Sequence, residues 1–132
     1  MAEPTLRIIP LGGLGEVGKN MTVYETEGGC IVIDAGIAFP RDEHLGVDLI
    51  LPDMTYLKGR DDILAVVITH GHEDHVGGLP YLLREVKVKE IIATRLTLGL
   101  LKSKLDEHGT AEKAMVGIDK TVGTNEIGFQ VG

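Results

Sequence analysis

Three features of this 132-residue chain predict an α/β fold built on a mixed sheet. Two β-prone runs, Met21–Thr26 and Cys30–Asp34, are separated by Glu27-Gly28-Gly29, which is the signature of an antiparallel hairpin. Further on, Leu64-Ala65-Val66-Val67-Ile68-Thr69 is a continuous apolar, β-branched run of the kind found in strands buried on both faces. Beyond it, strand and helix signals alternate, so the later strands are joined through helices rather than tight turns.

The elements follow in order. Leu6–Pro10 is a short apolar strand, and Gly12–Gly18 is too rich in glycine to be anything but a loop. The hairpin comes next. From Ala35 to Arg60 the turn residues Gly36, Pro40, Gly46, Pro52 and Gly59 surround one short apolar piece, Val47–Leu51, and predict a long loop of the kind that often carries function. The buried strand then ends at His70. After Gly77-Gly78 a short helix is expected, with Pro80 in its first turn, where the missing N–H costs nothing. Glu90–Ala93 is another strand. Thr94 can cap a helix that puts Leu98, Leu101 and Leu105 on one face and stops at Gly109. Ala114–Ile118 and Ile127–Val131 read as two final strands, and the stop at Gly132 directly after one of them suggests a piece of a longer protein.

Composition narrows the function classes. With 43% hydrophobic residues the chain can bury a core, and its apolar runs fall far short of the roughly 18 residues of a membrane span. Met1-Ala2-Glu3-Pro4 has neither the basic start nor the apolar stretch of a secretory signal, so a cytoplasmic address is expected. The single Cys30, inside an apolar run, is expected as a small core residue. A formal charge of -7 argues against this segment gripping a phosphate backbone unaided, and 4% aromatic residues with no Trp offer no stacking platform for bases.

The chemistry concentrates in His70-Gly71-His72-Glu73-Asp74-His75, an H-x-H-x-D-H pattern placed directly after the buried strand. Side chains two apart share a face in extended backbone, so His70 and His72 can meet one ion. As the chain turns toward the next helix, Asp74 and His75 swing to the other side, where they can hold a second. Imidazole with carboxylate suits zinc, and manganese or magnesium remain open. Two ions at such a site generate a nucleophilic water near neutral pH and stabilise the leaving group, so hydrolysis is the expected reaction. The protease pattern H-E-x-x-H is absent, since Val76 stands where its second histidine would be. Glu73 is expected to face solvent or to support its neighbours without binding an ion.

H-x-H-x-D-H after an apolar strand resembles the defining motif of the metallo-β-lactamase superfamily. The stretches Leu11-Gly12-Gly13-Leu14-Gly15-Glu16-Val17-Gly18-Lys19-Asn20-Met21, Ile33-Asp34-Ala35-Gly36 and Gly46-Val47-Asp48-Leu49-Ile50-Leu51-Pro52-Asp53 are similar to the opening of the ribonuclease J family, within the β-CASP group. The resemblance covers nearly the whole chain. It implies an αββα sandwich carrying an inserted second domain, of which residues 1–132 would be the N-terminal portion. It also implies RNA as partner, endonucleolytic or 5′-to-3′ cleavage of it, and a homo-oligomer when full-length. Carried over by position, His70 and His72 would bind the first ion, Asp74 and His75 the second. Asp34 would buttress the ligand loop, and Asp74 would help orient the attacking water. The family completes its site with a further histidine, a bridging aspartate and a last histidine. His44 and His108 do not stand in that context: His44 reads as a solvated loop residue, and His108 as a cation at a helix C-terminus.

A competing motif lies upstream. Gly13-Leu14-Gly15-Glu16-Val17-Gly18 matches G-x-G-x-x-G, with Asp34 at about the spacing of a dinucleotide site. That fingerprint requires a helix to begin in the glycine loop, whereas Met21–Thr26 alternates as a strand does, so a hairpin is expected there instead. Three functions stay open at this level. They are a metal-dependent ribonuclease or its first part, another hydrolase of the same superfamily acting on a thioester or lactam, and a non-catalytic piece. The last has weight because four ligands do not satisfy two ions that each want about four donors.

Overall fold

The computed structural model describes residues 5–39, 46, 49–107 and 120–121. His44, His108, the start of the Val47–Leu51 piece and both expected tail strands lie outside the described residues. The strands are β1 (Arg7–Gly12), β2 (Met21–Thr26), β3 (Gly29–Ile33), β4 (Ile63–Val67), β5 (Ile91–Ala93) and the two-residue β6 (Lys120–Thr121). The helices are α1 (Glu73–Val76), α2 (Leu79–Glu85) and α3 (Arg95–Glu107), with one 3₁₀ turn at Thr55–Leu57.

The six strands form one mixed sheet in chain order. β1, β2 and β3 pair antiparallel, with Thr22 opposite Ile33 and Tyr24 opposite Ile31. From β3 onward the pairing is parallel, with Val32 beside Val66 and Ile33 beside Val67. The hairpin and the helix-linked parallel strands are thus both as the sequence predicts. So is the glycine loop: no helix interrupts the path from β1 to β2, which removes the helix N-terminus that a dinucleotide site needs.

Alternation along the strands builds the core. Met21 and Val23 of β2, Cys30 and Val32 of β3, Val66 of β4 and Ile91 and Ala93 of β5 join one buried cluster with Leu79 and Leu82 of α2 and Leu98, Leu101 and Leu105 of α3. Each such leucine contributes roughly 1.5–3 kcal/mol by leaving water. Cys30 is fully buried, as expected, and burial pushes its thiol pKa up, which keeps it an inert core group. Thr94 caps α3 as anticipated, its Oγ1 accepting the Thr97 N–H at 3.3 Å. Expected burial of β4 on both faces holds at Ile63, Ala65 and Val66, whereas Val67 is half-buried and Leu64 is 38% exposed.

The opposite face of the sheet is apolar but less covered. Ile8, Tyr24 and Ile31 align across three strands; Ile8 is 57% exposed and Tyr24 38%, while Ile31 and Ile33 are half-buried. A sheet apolar on both sides calls for a layer on each.

Candidate metal centre

The site is assembled at the C-terminal ends of the parallel pair β3–β4. β3 ends at Ile33, and Asp34 turns into the left-handed region with φ 63°. Aspartate tolerates that conformation better than most residues, at a cost of order 1 kcal/mol. The turn places a 95% buried carboxylate beneath the end of β4. There Asp34 Oδ1 accepts the Thr69 N–H at 2.8 Å, and its two oxygens lie 3.1 and 2.9 Å from the Thr69 hydroxyl. Asp34 Oδ2 also accepts the Nδ1–H of His75 at 2.7 Å. One carboxylate thus touches both the end of β4 and the ligand turn.

The ligand turn is held from a second side. Asn20 donates to the Asp74 carbonyl twice, from its backbone N–H at 3.0 Å and from Nδ2 at 2.9 Å, and its own carbonyl accepts the Gly36 N–H at 3.0 Å. The Ala35 N–H donates to the His75 carbonyl at 2.8 Å, and the Ile37 N–H to that of Glu73 at 3.1 Å. These bonds press the segment after β3 so closely against the turn that a Cβ on Gly36 would stand 1.7 Å from the Asp74 carbonyl oxygen. Only glycine fits there.

His70, Asp74 and His75 converge, with ligand atoms that all lie within 4.8 Å of one another. The rings of His70 and His75 have centroids 4.0 Å apart, and His75 Nε2 lies 3.5 Å from Asp74 Oδ2. Two imidazoles and a carboxylate at this spacing can share a divalent cation. His72 stands beside the trio, its ring edge-on to His70 at 4.8 Å.

The four motif side chains thus stand as one cluster. A one-turn helix that the sequence does not announce, α1, begins at Glu73 with His72 as its N-cap in extended conformation, ahead of α2, which starts after Gly78 with Pro80 in its first turn as expected. Within one tight turn, closed by the His75 N–H on the His72 carbonyl at 2.9 Å, the chain brings Asp74 and His75 to within reach of His70. Glu73 faces outward as expected and forms an ion pair with Lys104 of α3. Thr69 and Asn20 escaped the sequence reading. Thr69 looks like one more β-branched strand residue, and Asn20 figures only within a stretch of resemblance.

A shallow cavity of about 230 Å³ opens on His75 and Asp34, walled by Gly12, Gly13, Leu14 and Asn20. The glycine loop thus faces the candidate site.

A family model described as the metallo-beta-lactamase superfamily matches residues 14–128. The chain belongs to the metallo-beta-lactamase superfamily. Within it, the chain is 49% identical over 109 residues to ribonuclease J of Synechocystis sp., covering 82% of this chain and 17% of that protein. It is 52% identical to ribonuclease J of Thermus thermophilus, covering 79% of this chain and 19% of that one. Ribonuclease J of Helicobacter pylori is 50% identical over 109 residues, with 82% of this chain and 16% of that protein covered. The chain spans less than a fifth of the length of these relatives. Among solved structures, human tRNase Z, short form, superposes with a TM-score of 0.46 at 20% identity, covering 81% of this chain and 40% of that one.

Proposed function

We propose that this metallo-beta-lactamase chain is the N-terminal portion of a metal-dependent ribonuclease of the ribonuclease J kind, which hydrolyses RNA phosphodiester bonds by endonucleolytic or 5′-to-3′ cleavage. One observation carries the reading: His70, Asp74 and His75 gather their donor atoms within 4.8 Å, in a chain about half identical to curated ribonucleases J. The partly covered apolar face along Ile8, Tyr24 and Ile31 supports the portion reading, because a second layer would cover it.

The donor set fits two divalent ions, zinc first, with manganese or magnesium as alternatives. His70, His72, Asp74 and His75 would hold them, together with ligands from elsewhere in the protein. When bound, such ions supply an acidified water and charge stabilisation for phosphodiester hydrolysis. The chain's own part is orientation. His75 has Nδ1 committed to Asp34, which leaves Nε2 as its ligand atom. Asn20 Nδ2, directed at the Asp74 carbonyl, also lies 3.5 Å from that Nε2 and is consistent with an unprotonated nitrogen there. Asp74, its side chain 42% exposed, would help orient the attacking water. With its remaining ligands elsewhere, residues 1–132 alone would be inactive. No helix among the described residues is long and apolar enough to cross a membrane.

The test uses the full-length protein, stripped by chelation and reloaded with zinc, manganese or magnesium, on 5′-monophosphorylated RNA. Cleavage that disappears on chelation and returns with one of these ions is expected. Metal-independent cleavage, or loaded protein that opens a lactam or thioester and leaves RNA intact, would overturn it.

A further inference from the structure

The Asp34 carboxylate reaches one candidate ligand directly and a second through an intermediary, and the intermediary is Thr69. A carboxylate only accepts hydrogen bonds, and a hydroxyl has one proton to give. Thr69 Oγ1 lies 2.9 Å from Asp34 Oδ2 and 3.1 Å from Oδ1, so its proton points at Asp34. The same oxygen lies 3.0 Å from His70 Nδ1. With its proton already given to Asp34, Thr69 can meet that nitrogen only as an acceptor, which requires His70 to carry its proton on Nδ1. The Nε2 lone pair of His70 is then free.

We infer that Thr69 is a positioning residue that passes the orientation of Asp34 on to His70, so that one buried carboxylate sets the tautomer of both His70 and His75 and presents Nε2 of each to the metal centre. This rests on the metal-binding reading above. The threonine is well suited to the task. Its backbone N–H is also bound to Asp34, at 2.8 Å, so the side chain is referenced to the group it relays. Being β-branched, it has few χ1 positions to choose from. Valine has almost the same shape and lacks the hydroxyl, whereas serine keeps the hydroxyl and lacks the methyl group.

The test reads histidine tautomers in the metal-free, full-length protein labelled with 15N-histidine. Long-range 1H–15N spectra are taken at a pH where the imidazoles are neutral, and the His70 signal is assigned by its loss in His70→Gln. Wild-type His70 should show a protonated Nδ1 and a bare Nε2. In Thr69→Val that preference should vanish while His75 keeps its own, and affinity for zinc, measured against a chromophoric chelator, should fall about tenfold or more. Thr69→Ser should recover both. A protonated Nε2 on wild-type His70 would overturn the inference without any variant having to fold. So would an unchanged His70 in Thr69→Val, or a Thr69→Ser protein as weak as the valine variant. A wild-type protein with the expected tautomers that takes up no zinc, manganese or magnesium would instead defeat the metal-hydrolase reading while leaving the hydrogen-bond relay standing.

Discussion

Asp34 Oδ2 lies 2.7 Å from Nδ1 of His75, across 41 positions of sequence, and joins the end of one parallel strand to the helical turn that follows its neighbour. A carboxylate held against one ring nitrogen fixes the plane of the imidazole and directs the other nitrogen outward. Replacing Asp34 by alanine should therefore weaken metal binding roughly 10–100-fold while removing no direct ligand. Chelator competition on the full-length protein measures this. Affinity equal to wild type would leave Asp34 with a packing role alone.

His72 tests the other end of the motif. It stands beside the trio, edge-on to His70. His72→Ala in the full-length protein is expected to lose metal and hydrolytic activity together, checked by elemental analysis alongside RNA cleavage. Unchanged turnover with intact metal content would remove His72 from the ligand set.

Gly36 is expected to be intolerant of any side chain. Its Cβ would overlap the Asp74 carbonyl oxygen, which is backbone and has no rotamer to retreat into. Gly36→Ala should lower stability toward the upper end of the ~1–3 kcal/mol typical of overpacking. It should also loosen the Asn20 and Asp74 hydrogen bonds, so the melting temperature and metal affinity fall together. Gly15, whose Cβ would meet nothing within 4 Å, is the control for space, although its φ of 70° makes alanine there strained for a different reason.

Far from the metal turn, Arg60 binds both oxygens of Asp62 at 2.9 Å, pairs with Glu25 at 2.6 Å and lies over the Tyr56 ring. The Arg60 hydrogen bond holds Asp62 below its ordinary value of 3.8. The Tyr56 hydroxyl, and after it Arg60, holds Glu25 below its ordinary 4.5, against the effect of burial. Both acids have depressed folded-state values, so what they contribute is fully present above the ordinary carboxylate range and is lost as pH falls through the folded values. Arg60→Ala should therefore cost stability at neutral pH and flatten the acid side of the profile, the two proteins converging as pH falls below about 4.5 and the acids protonate. Urea midpoints across that range decide it; parallel profiles for the two proteins would show that this cluster does not govern acid sensitivity.

Much of this arrangement was legible in the residues. The β-branched run before His70 gave a strand with the motif at its end, because a parallel strand buried on most of both faces is unambiguous in composition. Met21–Thr26 announced a strand by alternation, and that was enough to set aside the dinucleotide motif around Gly13–Gly18. Asp34 was placed beneath the ligand loop only through family resemblance, since nothing in its neighbours reveals a left-handed turn. The grouping of His70 with Asp74 and His75 was not legible. It depends on an additional helical turn at Glu73, ahead of the expected helix after Gly78, and a single turn of that length leaves no periodic signal. Thr69 and Asn20 were hidden for a related reason: their partners lie 35 and 54 positions away, and hydrogen bonds across such distances have no local pattern.

The Asp34 N–H donates to the Val67 carbonyl at 2.8 Å, one step beyond the pairing of Ile33 with Val67, so carboxylate and ligand turn hang from adjacent strands in fixed register. A slip of one residue would displace one strand against the other by about 3.3 Å and turn its side chains to the wrong face. Asp34 would then meet neither Thr69 nor His75. Cation uptake at this cradle would thus work as an inspection of assembly: a chain whose central strands had joined out of step could not complete it, and only the correctly joined one would gain the stability that a bound ion confers.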